Sequence, residues 1–195
     1  MGSEEQLMPN IRLNMEPDDA LIVVDVQNDF CPGGLLPIED GHKIVPVINR
    51  WIEAAVTIGV HVYASRDWHP LGHPSFQDNG GLWPPHCIQD SHGARFHPDL
   101  ILPASAIVIT KGVRFDQDQN SAFDQTGLSF KLKKDGIKRL WVSGLAEDVC
   151  VLATVTDGLK DGFEVILISK ATKPITIKSG ENARRNMRDA GAYIE

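Results

Sequence analysis

Short runs of β-branched and apolar residues recur along the chain at ALIVVDV (20–26), VHVYAS (60–65), AIVITK (106–111), RLWVSG (139–144) and FEVILIS (163–169), with a weaker one at AYIE (192–195). Apolar positions follow one another in these runs instead of alternating with polar ones, the pattern of strands covered on both faces. The stretches between them carry helical period. Ile44, Val47, Ile48, Trp51, Ile52 and Ala55 fall at i, i+3, i+4, i+7, i+8 and i+11 and draw one apolar stripe, while Val149, Leu152, Val155 and Leu159 draw a second that ends at Asp161 and Gly162. A third helix is expected over residues 179–190, opening at Ser179, carrying Asn182, Ala183, Met187 and Ala190, and stopping at Gly191. Strands joined by helices in this way predict a three-layer α/β/α fold around a doubly wound, mainly parallel sheet of about six strands. A single domain over residues 19–195, behind an N-terminal tail of residues 1–18, accommodates the whole pattern.

One segment breaks the alternation. Residues 66–104 are rich in Pro, Gly and His and show no period, and a loop of that length inside a compact domain is usually functional. In open parallel sheets ligands bind beyond the carboxyl ends of the strands, so the residues at those ends carry the most information. Asp25 follows the first run, Asp67 and His69 the second, Lys111 ends the third, and Gly144 leads to Cys150 after the fourth.

Taken singly, each has an ordinary structural reading: Asp25 as a loop cap or ion-pair partner, Lys111 as a strand-end surface residue, Cys150 as a small core residue. Taken together, an acid, a lysine and a cysteine on one sheet edge are the parts of a nucleophilic site. A cysteine in the first turn of a helix feels the positive end of the helix dipole, which favours its thiolate, although Glu147 and Asp148 oppose that effect. Asp25 would serve as base with Lys111 as its partner, and backbone N–H groups of the turn 145–150 would hold an oxyanion. The histidine-rich loop offers a second constellation. Asp67 and His69 stand two apart, with His73 and His86 further on, and one carboxylate with two or three imidazoles leaves open positions on a divalent metal ion. His92 and His97 read as surface residues of the same loop.

Five stretches, VVDVQNDFCPGG, DWHPLGHPSF, WPPHC, TKG and GLAEDVCV, resemble in order and spacing the nicotinamidase/pyrazinamidase group of the isochorismatase-like cysteine hydrolases. The likeness covers about residues 20–195. It implies hydrolysis of nicotinamide to nicotinate and ammonia, with pyrazinamide to pyrazinoate beside it, in NAD salvage. By that resemblance Asp25, Lys111 and Cys150 are the catalytic triad, and Asp67, His69 and His86 ligate a divalent metal, zinc first, with iron or manganese as alternatives. His73 matches a further histidine near or on the metal. Phe30 and Trp83 match aromatic walls around the pyridine ring. The Leu145–Ala146 peptide matches one that is cis and lines the substrate pocket, aiming the Ala146 N–H, with that of Cys150, at the oxyanion. The chain departs from the group at Glu147, Val149 and Asn120 and within ISKATKPI, positions that bear on substrate breadth and pocket polarity.

Composition narrows the partners. A net charge of −7 argues against nucleic-acid binding, and KLKKDGIKR (131–139) reads as the solvated end of a helix. No stretch reaches the roughly 18 apolar residues of a membrane span, and the acidic start MGSEEQLMPN lacks the pattern of a secretory signal. Cys31, Cys87 and Cys150 form no paired spacing, so neither a disulfide framework nor a zinc-finger-like site is expected. A cytoplasmic enzyme acting on a small-molecule amide follows, with homo-oligomerisation left open. Two rivals remain: another amide or carbamoyl hydrolase of the same superfamily, and a non-enzymatic metal- or nucleotide-binding module. Against the nucleotide reading, neither GxGxxG nor GxxxxGK[ST] is present.

Overall fold

The computed structural model describes residues 15–195. Most of the expected tail, residues 1–14, lies outside that span, while Met15 is already buried against the core. Six strands form one all-parallel sheet: β1 (Asp19–Val24), β2 (His61–Asp67), β3 (Ile107–Lys111), β4 (Arg139–Leu145), β5 (Glu164–Lys173) and β6 (Tyr193–Ile194). Their spatial order is β3-β2-β1-β4-β5-β6, so the direction of winding reverses at β1 and β4. All six residues of β1 are buried, as the unbroken apolar run requires of a central strand.

Alternate side chains of β1 enter two separate cores. Leu21 and Val23 pack on the face covered by α1 (Val45–Ile58), through Ile48, Trp51, Ile52 and Ala55. Ala20, Ile22 and Val24 face α2 (Leu128–Lys134), α3 (Leu152–Lys160) and α4 (Ile177–Asp189). The distribution of cover is uneven, one helix against three. The long segment after β2 completes the α1 face, burying Cys87, Ala94 and Leu100 in the same cluster. Its only helical piece is a short 3-10 turn at Gln77–Asn79.

The local signals mostly act where the pattern placed them, with two corrections. Helix α4 starts earlier than Ser179: Thr176 is the N-cap and Ser179 the third helical residue, the two side chains forming a reciprocal capping box. A serine that caps and a serine that closes the box look alike in sequence, which is why the start was displaced. Strand β5 also runs past the apolar run to Lys173, through a bulge that shifts its register against β4 between Val142 and Gly144. Of the basic stretch 131–139, Lys131, Lys133 and Lys134 lie in the last turn of α2, while Arg139 opens β4 and pairs with Asp19. Among the described residues, no helix is long and apolar enough to cross a membrane.

Candidate active site

Parallel register brings the chemistry-bearing strand ends to one level. Val24 lies opposite Ser65 on one side and Gly144 on the other, and Asp67 lies opposite Lys111. Asp25 follows at once with a left-handed backbone, φ 48°, a conformation open to few residues besides Gly, Asn and Asp. Gly144 makes the close approach from β4 feasible: at φ 117°, a Cβ there would stand 2.0 Å from the Val24 carbonyl oxygen.

The side chains meet around Lys111, which is completely buried. Its ammonium donates to Asp67 Oδ1 at 2.6 Å, to the Gln119 carbonyl at 3.3 Å and to Cys150 Sγ at 3.6 Å, and forms an ion pair with Asp25 Oδ2 at 2.7 Å. The Ser65 hydroxyl donates to the other Asp25 oxygen at 2.6 Å. Burying a lysine is tolerable only with such pairing, since an uncompensated buried charge costs several kcal/mol. Burial alone would lower the Lys111 pKa, but the charges of Asp25 and Asp67 outweigh it and hold the ammonium well above its usual range.

The carboxyls divide. Burial raises the Asp25 pKa in spite of Lys111, whereas at Asp67 the burial effect is outweighed by Lys111 and His69, leaving that carboxyl lowered. Burial likewise lifts the Cys150 thiol well above its usual value, with Lys111 pulling down and the Asp25 and Asp67 charges pushing up. The helix start alone therefore does not supply the thiolate, in keeping with the need for a base. A neutral thiol beside a carboxylate of raised proton affinity is a nucleophile that needs its base.

The turn carrying Cys150 is also not the first turn of an α-helix. Residues Glu147–Val151 form a π-type turn ahead of α3. The Ala146 carbonyl accepts from the N–H groups of Val149 and Val151, and the Cys150 N–H is not among its donors. π-turns of this sort recur at functional sites. The Leu145–Ala146 peptide is cis, and Ala146 is the residue capping the turn.

Beside Lys111 stands the second constellation. Potential ligand atoms of Asp67, His69 and His86 lie within 4.8 Å of one another, all three residues being buried. His69 Nδ1 meets the His86 carbonyl at 3.0 Å and His86 Nδ1 meets the Pro84 carbonyl at 2.7 Å. A carbonyl only accepts, so both Nδ1 atoms carry the hydrogen and both Nε2 atoms present lone pairs. His69 Nε2 is buried with no hydrogen-bond partner. These residues fit a divalent cation.

His73 differs. Its Nδ1 lies 2.7 Å from the Ser75 hydroxyl and 3.3 Å from the Ser75 N–H, and its Nε2 is buried without a partner. Its ring stacks on His69 with centroids 4.1 Å apart, and burial pushes its pKa down to about 4. Its potential ligand atom groups with His69 and Asp118, not with the set of three.

Cys150 and the three potential metal ligands line one small cavity of about 40 Å³. Cys150, Ala146, Asp67, His69 and His86 line it together with Phe30, Trp83, Leu36, Ile38, Val149 and Ile175, and Asp118 and Asn120 also reach its wall. Phe30 is buried against the His86 ring, centroids 5.5 Å apart, while Trp83 is half-buried.

Four supporting residues escaped the reading of the sequence. Gln27 donates to the carbonyls of Asp67 and Ala94 and accepts from the Asp67 N–H, all at 2.7–2.8 Å. Asp29 accepts from the Cys87 and Leu35 N–H groups. Ser65 holds Asp25, and Gln119 supplies a carbonyl to Lys111. Gln27 and Asp29 follow Asp25 at intervals of two, the one signal available; the groups they bind are backbone atoms distant in sequence.

A buried cysteine, a lysine-bridged pair of acids and an open cation site at the switch point of a doubly wound sheet define a class of nucleophilic α/β hydrolase. The model of the isochorismatase domain matches residues 19–195, and the chain belongs to that family. The nicotinamidase of Escherichia coli (strain K12) is 38% identical over 201 residues, covering 91% of this chain and 94% of that protein. Among solved structures, the pyrazinamidase of Pyrococcus horikoshii in complex with zinc superimposes with a TM-score of 0.89 at 43% identity, over 92% of this chain and 99% of that one. PnC1 from L. infantum in complex with nicotinate gives a TM-score of 0.84 at 37% identity, over 91% of each chain.

Proposed function

We propose that this chain hydrolyses nicotinamide to nicotinate and ammonia, and pyrazinamide to pyrazinoate, with Asp25, Lys111 and Cys150 as the catalytic residues. The observation that carries the reading is the buried Lys111 ammonium, which contacts Asp25, Asp67 and Cys150 at once, the last two lining the cavity. Similarity to a nicotinamidase and to a pyrazinamidase supports the substrate class.

Phe30 and Trp83 flank the pyridine ring and leave its carboxamide carbon over Cys150. Asp25 takes the thiol proton as Sγ bonds to that carbon, and the Ala146 and Cys150 N–H groups receive the oxyanion. Asp25, held by Lys111 and Ser65, then returns the proton to the amide nitrogen; the C–N bond breaks and ammonia leaves. Water, giving its proton to Asp25, adds to the thioester, and the C–S bond breaks to release the acid and restore the thiol. Asp67, His69 and His86 would hold the metal, which we take to be zinc; when bound, it offers the ring nitrogen a Lewis-acid site. Binding the ring at one end fixes the amide at the other, a positioning effect that carries large rate factors. His73 stands beside this set. We take the reaction to run in the cytoplasm, a reading that the three free cysteines support, since thiols there are kept reduced.

The test is ammonia release from nicotinamide and pyrazinamide by the purified protein and by Cys150→Ala. Cys150→Ala is expected to fold normally and lose at least about 10³-fold in kcat; undiminished turnover by that variant would overturn the assignment.

A further inference from the structure

Immediately behind the proposed oxyanion turn lies a carboxylate that the mechanism does not use. Glu147 sits between Ala146 and Cys150 in the chain, and its side chain is 0% exposed. One oxygen accepts from the Thr172 hydroxyl of β5. The other lies 3.3 Å from the Arg184 guanidinium of α4, without a hydrogen bond. Its neighbour Asp148 accepts from the Ile175 N–H at 3.0 Å. Ile175 lines the substrate cavity. Two consecutive acids thus tie the π-turn to the end of β5, to α4 and to a wall of the cavity.

As a stability device this arrangement is poor. A buried carboxylate is costly to desolvate, and a half-satisfied one costs more than an apolar residue of the same size. Placing a negative charge beside an oxyanion would also oppose the reaction unless it were neutralised. Arg184 supplies the opposite charge and lines a second cleft with Glu147 and Thr172.

We infer that Glu147, neutralised by Arg184, is a positioning residue that fixes the π-turn so that the Ala146 and Cys150 N–H groups point at the developing oxyanion. The inference rests on the amide-hydrolysis reading above. Because oxyanion donors act in the transition state, loosening them lowers kcat and spares binding of the ground state.

The experiment compares the whole protein with Glu147→Gln, Arg184→Met and Arg184→Lys. It measures kcat and KM for nicotinamide, inhibition by nicotinate, and inhibition by pyridine-3-carbaldehyde. The aldehyde reports on the tetrahedral state: Cys150 Sγ bonds to its carbonyl carbon, the C=O π bond opens, and the thiol proton ends on oxygen, with no redox change. Glu147→Gln and Arg184→Met are expected to lose about tenfold to hundredfold in kcat. Their KM and nicotinate affinity should stay within about twofold, with aldehyde affinity falling by the same factor as kcat. Arg184→Lys, which keeps the charge, should recover most of the loss; it also guards against a Glu147 variant that fails to fold. Equal losses in nicotinate and aldehyde affinity, or kcat within about twofold of the parent in both Glu147→Gln and Arg184→Met, would overturn the inference. A parent protein that releases no ammonia would instead remove the hydrolase reading, and this inference with it.

Discussion

At the scale of single residues, hydrogen-bond direction separates side chains that composition makes alike. His69, His73 and His86 share one loop and one residue type, yet backbone carbonyls force the lone pair onto Nε2 in His69 and His86, while His73 Nδ1 meets the Ser75 hydroxyl, which fits either tautomer. His73 groups with His69 and Asp118 and not with the set of three, and we propose that it stands beside the metal without ligating it. His86→Gln is expected to lose most of its metal on dialysis, and His73→Gln to keep close to one ion per chain, as read by elemental analysis of the purified proteins. The direction of both effects follows from ligand geometry, and loss of a ligand or its orienting partner ordinarily costs at least about tenfold in metal affinity. Equal metal loss in both variants would place His73 in the ligand set. Gly112 belongs to the same construction: its φ is 68°, and a Cβ would meet the His69 ring at 2.6 Å, so this backbone passes the site only without a side chain.

Among the elements, the π-turn concentrates the conflict between stability and function. Glu147 is packed by its own turn, β5 and α4, and burial raises its pKa above the ordinary value, with the Thr172 hydrogen bond and the Arg184 charge acting the other way. A carboxyl raised in the folded state binds its proton more tightly there than in the unfolded chain. Its contribution to stability is thus fully present below the unfolded value of 4.5 and is lost as pH rises through the folded one. Asp148 beside it, Arg184 from α4, Lys173 from β5, and Glu39 and Asp40 across the second cleft remain in both proteins when only Glu147 is changed. Glu147→Gln removes this one titration. Its unfolding free energy, measured in urea at pH 4.5 and pH 7.5, should therefore gain on that of the parent as pH rises. A difference independent of pH would show that Glu147 titrates alike in the folded and unfolded states.

Over the whole molecule, what could be read from the sequence follows the range of the interactions concerned. Strand runs and helix stripes are local, and all six strands and the three predicted helices are present, with α4 starting earlier, β5 running longer and Val149 falling in the π-turn ahead of α3. The convergence of Asp25, Lys111 and Cys150 needed only the parallel direction of the strands. Asp67 bonding Lys111, the π-turn and the grip of Gln27 and Asp29 on the long loop depend on register and backbone atoms, which no residue pattern encodes. That loop shapes the energetics of the entire fold. It covers the α1 face of the sheet with almost no regular structure, and carries His69, His73 and His86. Its order depends on a few side-chain clamps and on whatever the cation site holds, whereas β1 and β4 are fixed by sheet pairing and two cores. A metal bound only by the folded chain adds about 2.7 kcal/mol when its free concentration is 100 times Kd. For a chain of this size each kcal/mol moves Tm by about 2–4 °C, so removing the metal with a chelator should lower Tm by about 5–10 °C. The loss should be local: protease cleavage within residues 68–106 should rise, while amide hydrogens of β1 and β4 keep their protection. Uniform loss of protection across the sheet would mean that loop and sheet unfold as one unit, and that the cation site supports the core as well as the chemistry.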